Sequence, residues 1–243
     1  MPCKNCSADK TIKAHLIPQA FAREVRGEGK VMALTNGDLS SFQPSQNGRY
    51  DDGILCAECD NLLGKDEKYA FEILAKVRGA LRDRTSHQII EGLEGDRLFR
   101  CATGIAWKFA LTRDHYGRID IGPYADALKN LLFDRSKAVA HVDAFMMRFH
   151  DGTSEARFFR APKTERYNSV NFIRLGVGGF VFLIKIDKRP LPEIPREVWL
   201  RGNKEVLVPL MPANFLEEGK LLQNVEGKNE KLALFLERVA LSE

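Results

Sequence analysis

The segment Asp51-Asp52-Gly53-Ile54-Leu55-Cys56-Ala57-Glu58-Cys59-Asp60-Asn61 decides the fold of the N-terminal part of this chain. Two residues separate its cysteines, and a second pair with the same spacing, Cys3 and Cys6, lies at the start of the sequence. Each pair can present two sulfur atoms from a tight turn, and zinc prefers four thiolate or imidazole ligands in a tetrahedron. The spacing therefore predicts one structural zinc site formed by Cys3, Cys6, Cys56 and Cys59.

The alternatives for these cysteines are two unrelated reduced pairs or redox-active dithiols. A disulfide framework is disfavoured, because cellular thiol systems keep the cysteines of a cytosolic chain reduced. The stretch of about fifty residues between the pairs closes at little extra cost, since loop-closure entropy grows only logarithmically with length. Cys101, the fifth cysteine, is expected to pack on an apolar helix face.

The composition is that of a globular protein with a sizeable core. Of the 243 residues, 44% are hydrophobic and 29% are charged, so disorder is not expected. The longest apolar run, from Leu175 to Ile186, is interrupted by glycines and too short to cross a bilayer as a helix, so it is interpreted as buried strand. No apolar stretch of signal-peptide length follows the first residues, and we expect a cytoplasmic protein without a membrane segment.

The net charge of +4 is compatible with a polyanionic partner but too mild to identify one. The basic residues near the cysteine pairs that could follow a phosphate backbone are Arg23, Arg26, Lys30, Lys65, Lys68, Lys76, Arg78, Arg82 and Arg84. Acidic residues interleave with those after the second pair, so a solvated helix face is the competing interpretation.

Apolar residues recur at helical spacing in three places. The pattern predicts one helix from near the second cysteine pair to about Arg82, a second over residues 97–112 and a third over residues 125–133, after Gly122 and Pro123. Trp107 and Trp199 are expected to be core or interface aromatics. The polar stretch 36–47 is predicted to form a surface loop.

Beyond Ser136 the chain becomes rich in β-branched and aromatic residues. Strands are predicted over residues 139–149, 156–159, 170–175 and 180–186, with a hairpin turn at Asp151-Gly152. Residues 190–212 are predicted to form coil and short strands, and residues 229–239 to form a helix. The sequence therefore predicts an α+β protein with two parts: a zinc-bound module over residues 1–87 and a body of helices and antiparallel sheet over residues 88–243.

A cysteine knuckle followed by a second pair at the start of a helix is the arrangement of a treble clef zinc finger. Between the pairs lies Lys13-Ala14-His15-Leu16-Ile17-Pro18, and the second pair continues as Cys56-Ala57-Glu58-Cys59-Asp60-Asn61. Together these segments resemble the zinc-containing HNH endonuclease family, whose finger is the ββα-metal type. The resemblance covers roughly the first third of the chain.

The resemblance implies an endonuclease that hydrolyses phosphodiester bonds of DNA or, as the less favoured substrate, RNA. It implies that His15 is the general base and that Asp60, with Asn61 beside it, belongs to the catalytic site. Asp60 is the leading ligand for Mg²⁺ or Mn²⁺, ions that favour oxygen donors. Such an ion neutralises charge on the phosphate, while the base activates water.

The chain departs from the family at Ala14, where an acidic metal ligand is usual. The acidic or amide residues that could supply the missing oxygen are Asp51, Asp52, Asn61, Asp66 and Glu67. For His15 the competing interpretation is a packed histidine or a replacement zinc ligand. For Asp60 it is a carboxylate favoured by the helix dipole.

Two other functions stay open at this point. The first is a nucleic-acid-binding protein whose finger has lost catalysis. The second is a protein-interaction adaptor with a purely structural zinc site. The predicted helix over residues 97–112 loosely resembles the companion regions of microbial HNH-like proteins, some of which are linked to phage defence or mobile elements.

Overall fold

The computed structural model describes residues 1–26, 32–34, 43–80, 86–134, 139–149 and 159–212, together with residue 217. The predicted hairpin turn at Asp151-Gly152, the predicted helix over 229–239 and most of the predicted loop over 36–47 lie outside these residues. Within them the chain is an α+β protein, as predicted. No described helix is both long and apolar enough to cross a membrane.

The N-terminal part is built around a short two-stranded sheet. Strand β1 (Ala14–His15) pairs antiparallel with β4 (Tyr50–Asp51), so that Ala14 lies opposite Asp51 and His15 opposite Tyr50. Between these strands in sequence come helix α1 (Gln19–Arg26) and the antiparallel pair β2 (Met32–Leu34) and β3 (Gln43–Ser45). The residues of β3 were assigned to the predicted loop, because Gln, Pro and Ser favour turns more than strands.

Helix α2 (Ala57–Ala80) confirms the predicted helix after the second cysteine pair. It begins at the residue after Cys56, and its first turn carries Glu58 and Asp60, which favour the positive end of the helix dipole. Its buried face holds Leu63, Ala70, Leu74 and Val77, the spacing of an amphipathic helix.

Helix α3 (Gly95–Leu111) and helix α4 (Tyr124–Phe133) confirm the other two predicted helices. Most of α3 is buried, because it packs against α2 and α4 and against strands of the large sheet. Its first residue is glycine for a steric reason: a Cβ at Gly95 would lie 2.0 Å from the carbonyl oxygen of Leu200.

The body contains a six-stranded sheet. In spatial order its strands are β5 (His87–Ile90), β10 (Val206–Met211), β6 (Val142–Phe149), β9 (Phe180–Ile186), β8 (Val170–Val177) and β7 (Arg160–Tyr167). All neighbouring pairs are antiparallel except β10 and β6, which are parallel. The sheet is therefore mixed, and the prediction of an antiparallel sheet is wrong for this pair.

Strands β6, β8 and β9 confirm the strands predicted over residues 139–149, 170–175 and 180–186. The apolar run from Leu175 to Ile186 spans two of them, because Gly178 and Gly179 adopt positive φ angles of 61° and 76° and reverse the chain. The strand predicted over residues 156–159 needs correction. Phe159 lies outside any strand, residues 156–158 lie outside the described residues, and the observed strand is β7. Charged side chains hide β7 from a hydrophobicity pattern, as is common for strands at a sheet edge.

One apolar cluster joins the N-terminal part to the body. It includes Leu16 and Phe21 from the first segment, Leu74 of α2, Phe109 of α3 and Val208 of β10. The predicted boundary between residues 87 and 88 is therefore not marked by a break in the core, and it stays a prediction.

Candidate metal centre and the adjoining polar site

The sulfur atoms of Cys3, Cys6, Cys56 and Cys59 all lie within 4.8 Å of one another. The Cys6 sulfur is 3.6 Å from that of Cys56 and 3.7 Å from that of Cys59. A tetrahedral zinc ion with bonds of about 2.3 Å would separate its sulfur ligands by about 3.8 Å. The predicted cluster is therefore present, and its dimensions suit a metal ion such as zinc.

Backbone hydrogen bonds hold the two cysteine pairs together. The Lys4 amide donates to the Ile54 carbonyl at 2.8 Å, and the Ile12 amide donates to the Leu55 carbonyl at 2.9 Å. The first bond starts within the first pair and the second starts six residues after it, and both end at the residues just before the second pair. Three of the sulfur atoms belong to buried residues, whereas Cys6 is exposed.

The surroundings of the sulfurs shift the pKa values of the thiols in different directions. Although burial opposes the shift, the backbone amides of Cys6, Cys56 and Asn5 lower the pKa of the Cys3 thiol to about 6. Burial raises the pKa of the Cys59 thiol to about 12, while the Asn5 side-chain amide donates to its sulfur at 3.2 Å. A cation at the centre would favour all four thiolates, since metal binding displaces their protons.

His15 lies at the end of β1 and takes no part in the cysteine cluster. It is half-buried, and its ring meets the exposed ring of Tyr50 edge to face, with the centroids 6.2 Å apart. Burial, followed by the charges of Lys108 and Arg23, lowers the pKa of His15, and the charge of Glu67 opposes this. The imidazole is therefore neutral near pH 7, the state that accepts a proton.

Lys108 of α3 is the residue of this site that the sequence prediction missed. Its side chain is 1% exposed, and its ammonium donates to the His15 carbonyl at 2.6 Å and to Glu67 Oε1 at 2.8 Å. The available signal was a lysine between Trp107 and Phe109, on a helix whose neighbouring residues are apolar. A buried ammonium must find acceptors, but sequence does not say where they lie.

Asp60 lies in the first turn of α2, close to the same ion pair. Burial raises the pKa of its carboxyl group, Lys108 opposes this, and Glu67 reinforces it. Asn61, the next residue, is exposed. The structure thus brings His15 and Asp60 around Lys108 and Glu67, with Asn61 on the outer surface.

Four of the five replacement oxygen ligands considered from sequence already have protein partners. Asp51 accepts hydrogen bonds from Thr112 Oγ1 at 2.7 Å and from the amides of Gly53 and Arg113. Asp66 binds Arg97 and Arg100, Glu67 binds Lys108, and Asp52 pairs with Arg113. Within the described residues, the four cysteines are the one group of three or more His, Cys, Asp or Glu whose ligand atoms converge.

The basic residues have different surroundings. Lys13 and Arg23 are exposed near His15, and the Lys13 ammonium lies 5.3 Å from the centre of the Tyr50 ring. Arg78 does not belong to an open basic face: it pairs with Glu24 and donates to the Gly178 carbonyl. Lys65, Lys68 and Lys76 are exposed on α2, and Lys30, Arg82 and Arg84 lie outside the described residues.

Other predictions about single residues are confirmed. Cys101, Trp107 and Trp199 are buried in the core.

The chain matches no family model, no curated protein and no solved structure in the comparisons.

Proposed function

We propose that this chain is an HNH-like endonuclease that hydrolyses phosphodiester bonds of DNA, with RNA as the less favoured substrate. One observation carries the proposal: His15 and Asp60 lie near the same ion pair, buried Lys108 of α3 and half-buried Glu67. His15, Asp60 and Glu67 belong to a unit made of β1, β4 and α2, which the cysteine cluster adjoins. This order of strands and helix is the one expected for a treble clef finger of the ββα-metal type.

In this proposal zinc is structural, held by Cys3, Cys6, Cys56 and Cys59. Four sulfur ligands close its coordination shell, so no position is left for substrate or water. The cluster then secures the start of α2 to the first knuckle, and Asp60 follows the last ligand directly. Zinc binding therefore positions the catalytic residues without taking part in the reaction.

His15 acts as the general base. Its imidazole is neutral near pH 7 and half-buried, so it can accept a proton from a water molecule that attacks phosphorus. The exposed Lys13 and Arg23 beside it supply positive charge for the phosphate backbone. Base, charge and access from solvent thus occur on one surface.

Asp60 is the residue that would hold a catalytic Mg²⁺ or Mn²⁺. Magnesium commonly binds through one or two carboxylates, with water and substrate phosphate completing its shell, so a single aspartate is a minimal but sufficient protein contribution. The cation would neutralise charge on the phosphate and on the leaving oxygen.

A second candidate function is nucleic-acid binding without catalysis. Ala14 favours this function, because it is fully buried opposite Asp51 and replaces the acidic metal ligand that is usual in the HNH family. The carboxylates of Asp51, Asp66 and Glu67 also favour it, since they already bind other protein groups. Both functions would use the surface around His15 to bind nucleic acid, and only the endonuclease would cleave it.

The test is cleavage of plasmid DNA, single-stranded DNA and RNA by purified, zinc-loaded protein in Mn²⁺, Mg²⁺ or EDTA. We expect DNA cleavage that requires the divalent ion. His15→Ala should lower the rate by roughly a hundred-fold to ten-thousand-fold. His87→Ala, a change at an exposed histidine on β5, should leave the rate unchanged.

Asp60→Ala should also lower cleavage, and high Mn²⁺ should restore part of it if the lost function is metal binding. Full activity of folded His15→Ala would contradict the role of the base. An inactive wild type that binds duplex DNA with a steep salt dependence would support the second function instead. Absence of both cleavage and binding would leave the adaptor with a structural zinc site.

A further inference from the structure

A buried lysine from the body reaches into the polar site. Lys108 lies on α3 between side chains that are almost fully buried, and its ammonium is removed from solvent. Burying an ammonium ion costs several kcal/mol unless acceptors replace its water. Its acceptors are the His15 carbonyl and the Glu67 carboxylate, at 2.6 and 2.8 Å.

A buried ion pair is weak evidence for a role in stability. Replacing a buried ion pair with apolar residues of similar volume is often neutral or stabilising. A methionine at position 108 would fill the same space between the apolar neighbours. The retained charge therefore calls for another role, and its contacts show what it holds.

The ammonium connects two elements that the proposed reaction needs. It contacts the peptide group of His15 itself, from which the imidazole projects. Its other partner, Glu67, lies about two helical turns after Asp60, a spacing that places both residues on the same face of α2. One side chain thus links β1, which carries the base, to the face of α2 that carries the metal-binding carboxylate.

We propose that Lys108 is a positioning residue of the site, which sets the separation of His15 and Asp60 by holding the His15 peptide and the Glu67 carboxylate together. The inference rests on the proposed endonuclease function for its effect on turnover. It makes the body an obligatory part of the site: β1 and α2 supply the reacting residues, and α3 supplies the group that spaces them.

The first test measures cleavage by Lys108→Met/Glu67→Gln, which removes both charges and leaves no buried charge unpaired. We expect a folded, zinc-loaded protein with kcat lowered roughly a hundred-fold, the scale of a base displaced by about 1 Å, and with KM little changed. The matched control is Lys163→Met/Glu165→Gln, which removes a lysine–glutamate pair 3.7 Å apart on edge strand β7 and should retain wild-type kcat.

The second test does not require activity. The charged and titratable groups near His15 are Lys108 from α3, Glu67 from α2, Arg23 from α1, Tyr50 from β4 and, just before β1, Lys13. Lys108→Met removes a cation and should raise the pKa of His15, whereas Glu67→Gln removes an anion and should lower it. Titration of the His15 imidazole by NMR measures both shifts, and opposite shifts require both charges to lie close to the imidazole.

The two failures are distinguishable. Wild-type kcat in the folded Lys108→Met/Glu67→Gln variant would overturn the positioning role while the endonuclease function stands. If the wild type cuts no nucleic acid, the proposed function fails, and the NMR titration decides about Lys108. Opposite shifts would then support its place beside His15, and unchanged or parallel shifts would overturn it.

Discussion

Asp51 is one of the candidate metal ligands, and its contacts give it a structural role. Its carboxylate is 3% exposed and receives hydrogen bonds from Thr112 Oγ1, at the end of α3, and from the amides of Gly53 and Arg113. Although burial opposes the shift, these bonds lower the pKa of Asp51. These hydrogen bonds therefore hold β4 against the end of α3.

We expect Asp51→Asn to lower the free energy of unfolding at pH 7 by about 1–3 kcal/mol, the range for losing hydrogen bonds to a buried charged group. Asp52→Asn is the matched control. Its side chain is 60% exposed and pairs with Arg113, so its loss should cost less than about 1 kcal/mol. Urea unfolding of the three proteins measures both values.

The pH dependence follows from the sign of the shift. Since folding lowers the pKa of Asp51, its contribution is complete above the unfolded carboxyl pKa of about 3.9 and is lost as the pH falls through the folded value. The difference in stability between wild type and Asp51→Asn should therefore shrink as the pH falls below about 4. A difference that stays constant over this range would show that the carboxylate is not responsible.

At the scale of elements, helix α2 organises the site. Within 24 residues it carries Cys59 for the metal cluster, Asp60 and Glu67 for the polar site, and Arg78 for the contact with the sheet. Its start is held by the cysteine cluster, and its later turns are held by Leu74 and Val77 in the core. A metal ion at the cluster would therefore fix the first turn, where Asp60 lies.

We expect the purified protein to contain about one zinc ion per chain. Cys56→Ser should lose the ion and lower the thermal transition strongly, because metal-binding free energy contributes directly to folding in such sites. Cys101→Ala, a change at a buried cysteine outside the cluster, should retain full zinc content. Metal analysis combined with thermal melts distinguishes the two variants. Wild-type protein that contains no zinc after expression in zinc-supplied medium would contradict the predicted zinc site.

At the scale of the whole molecule, the N-terminal part meets the sheet at the hairpin between β8 and β9. Gly178 has φ of +61°, and a Cβ there would lie 2.9 Å from Phe21 of α1 and 3.1 Å from the guanidinium of Arg78. Arg78 also pairs with Glu24 and donates to the Gly178 carbonyl. Helices α1 and α2 can therefore approach the hairpin of β8 and β9 this closely because residue 178 has no side chain.

Gly178→Ala should destabilise the protein more than Gly122→Ala, which has a similar φ of +52° but open space around it. The positive φ costs each variant about 1 kcal/mol. Overpacking against Phe21 and Arg78 should add about 1–3 kcal/mol at Gly178 alone. Equal losses in urea unfolding would mean that the junction adapts without cost.

The sequence by itself determined the features that depend on neighbours along the chain. The two-residue spacing within each cysteine pair sets a turn that presents two sulfurs, and the cluster is found as predicted. Helices α2, α3 and α4 follow from apolar periodicity, because a helix buries one face whatever it packs against. His15 was identified as the base only through a resemblance, and that role stays a prediction.

Only the tertiary structure decided the partners of the buried charges and the order of the strands. Lys108 contacts a residue 93 positions away, and Asp51 contacts one 61 positions away. No local pattern encodes such pairs, because the sequence around a helical lysine does not indicate whether its ammonium contacts solvent or a distant carbonyl. The parallel pairing of β10 with β6 likewise depends on the arrangement of the whole sheet, in which the other edge of β6 pairs with β9. The physical reason is common to all three: spacing and periodicity act over a few residues, whereas the burial of a charge or an edge strand is settled by the packing of the whole chain.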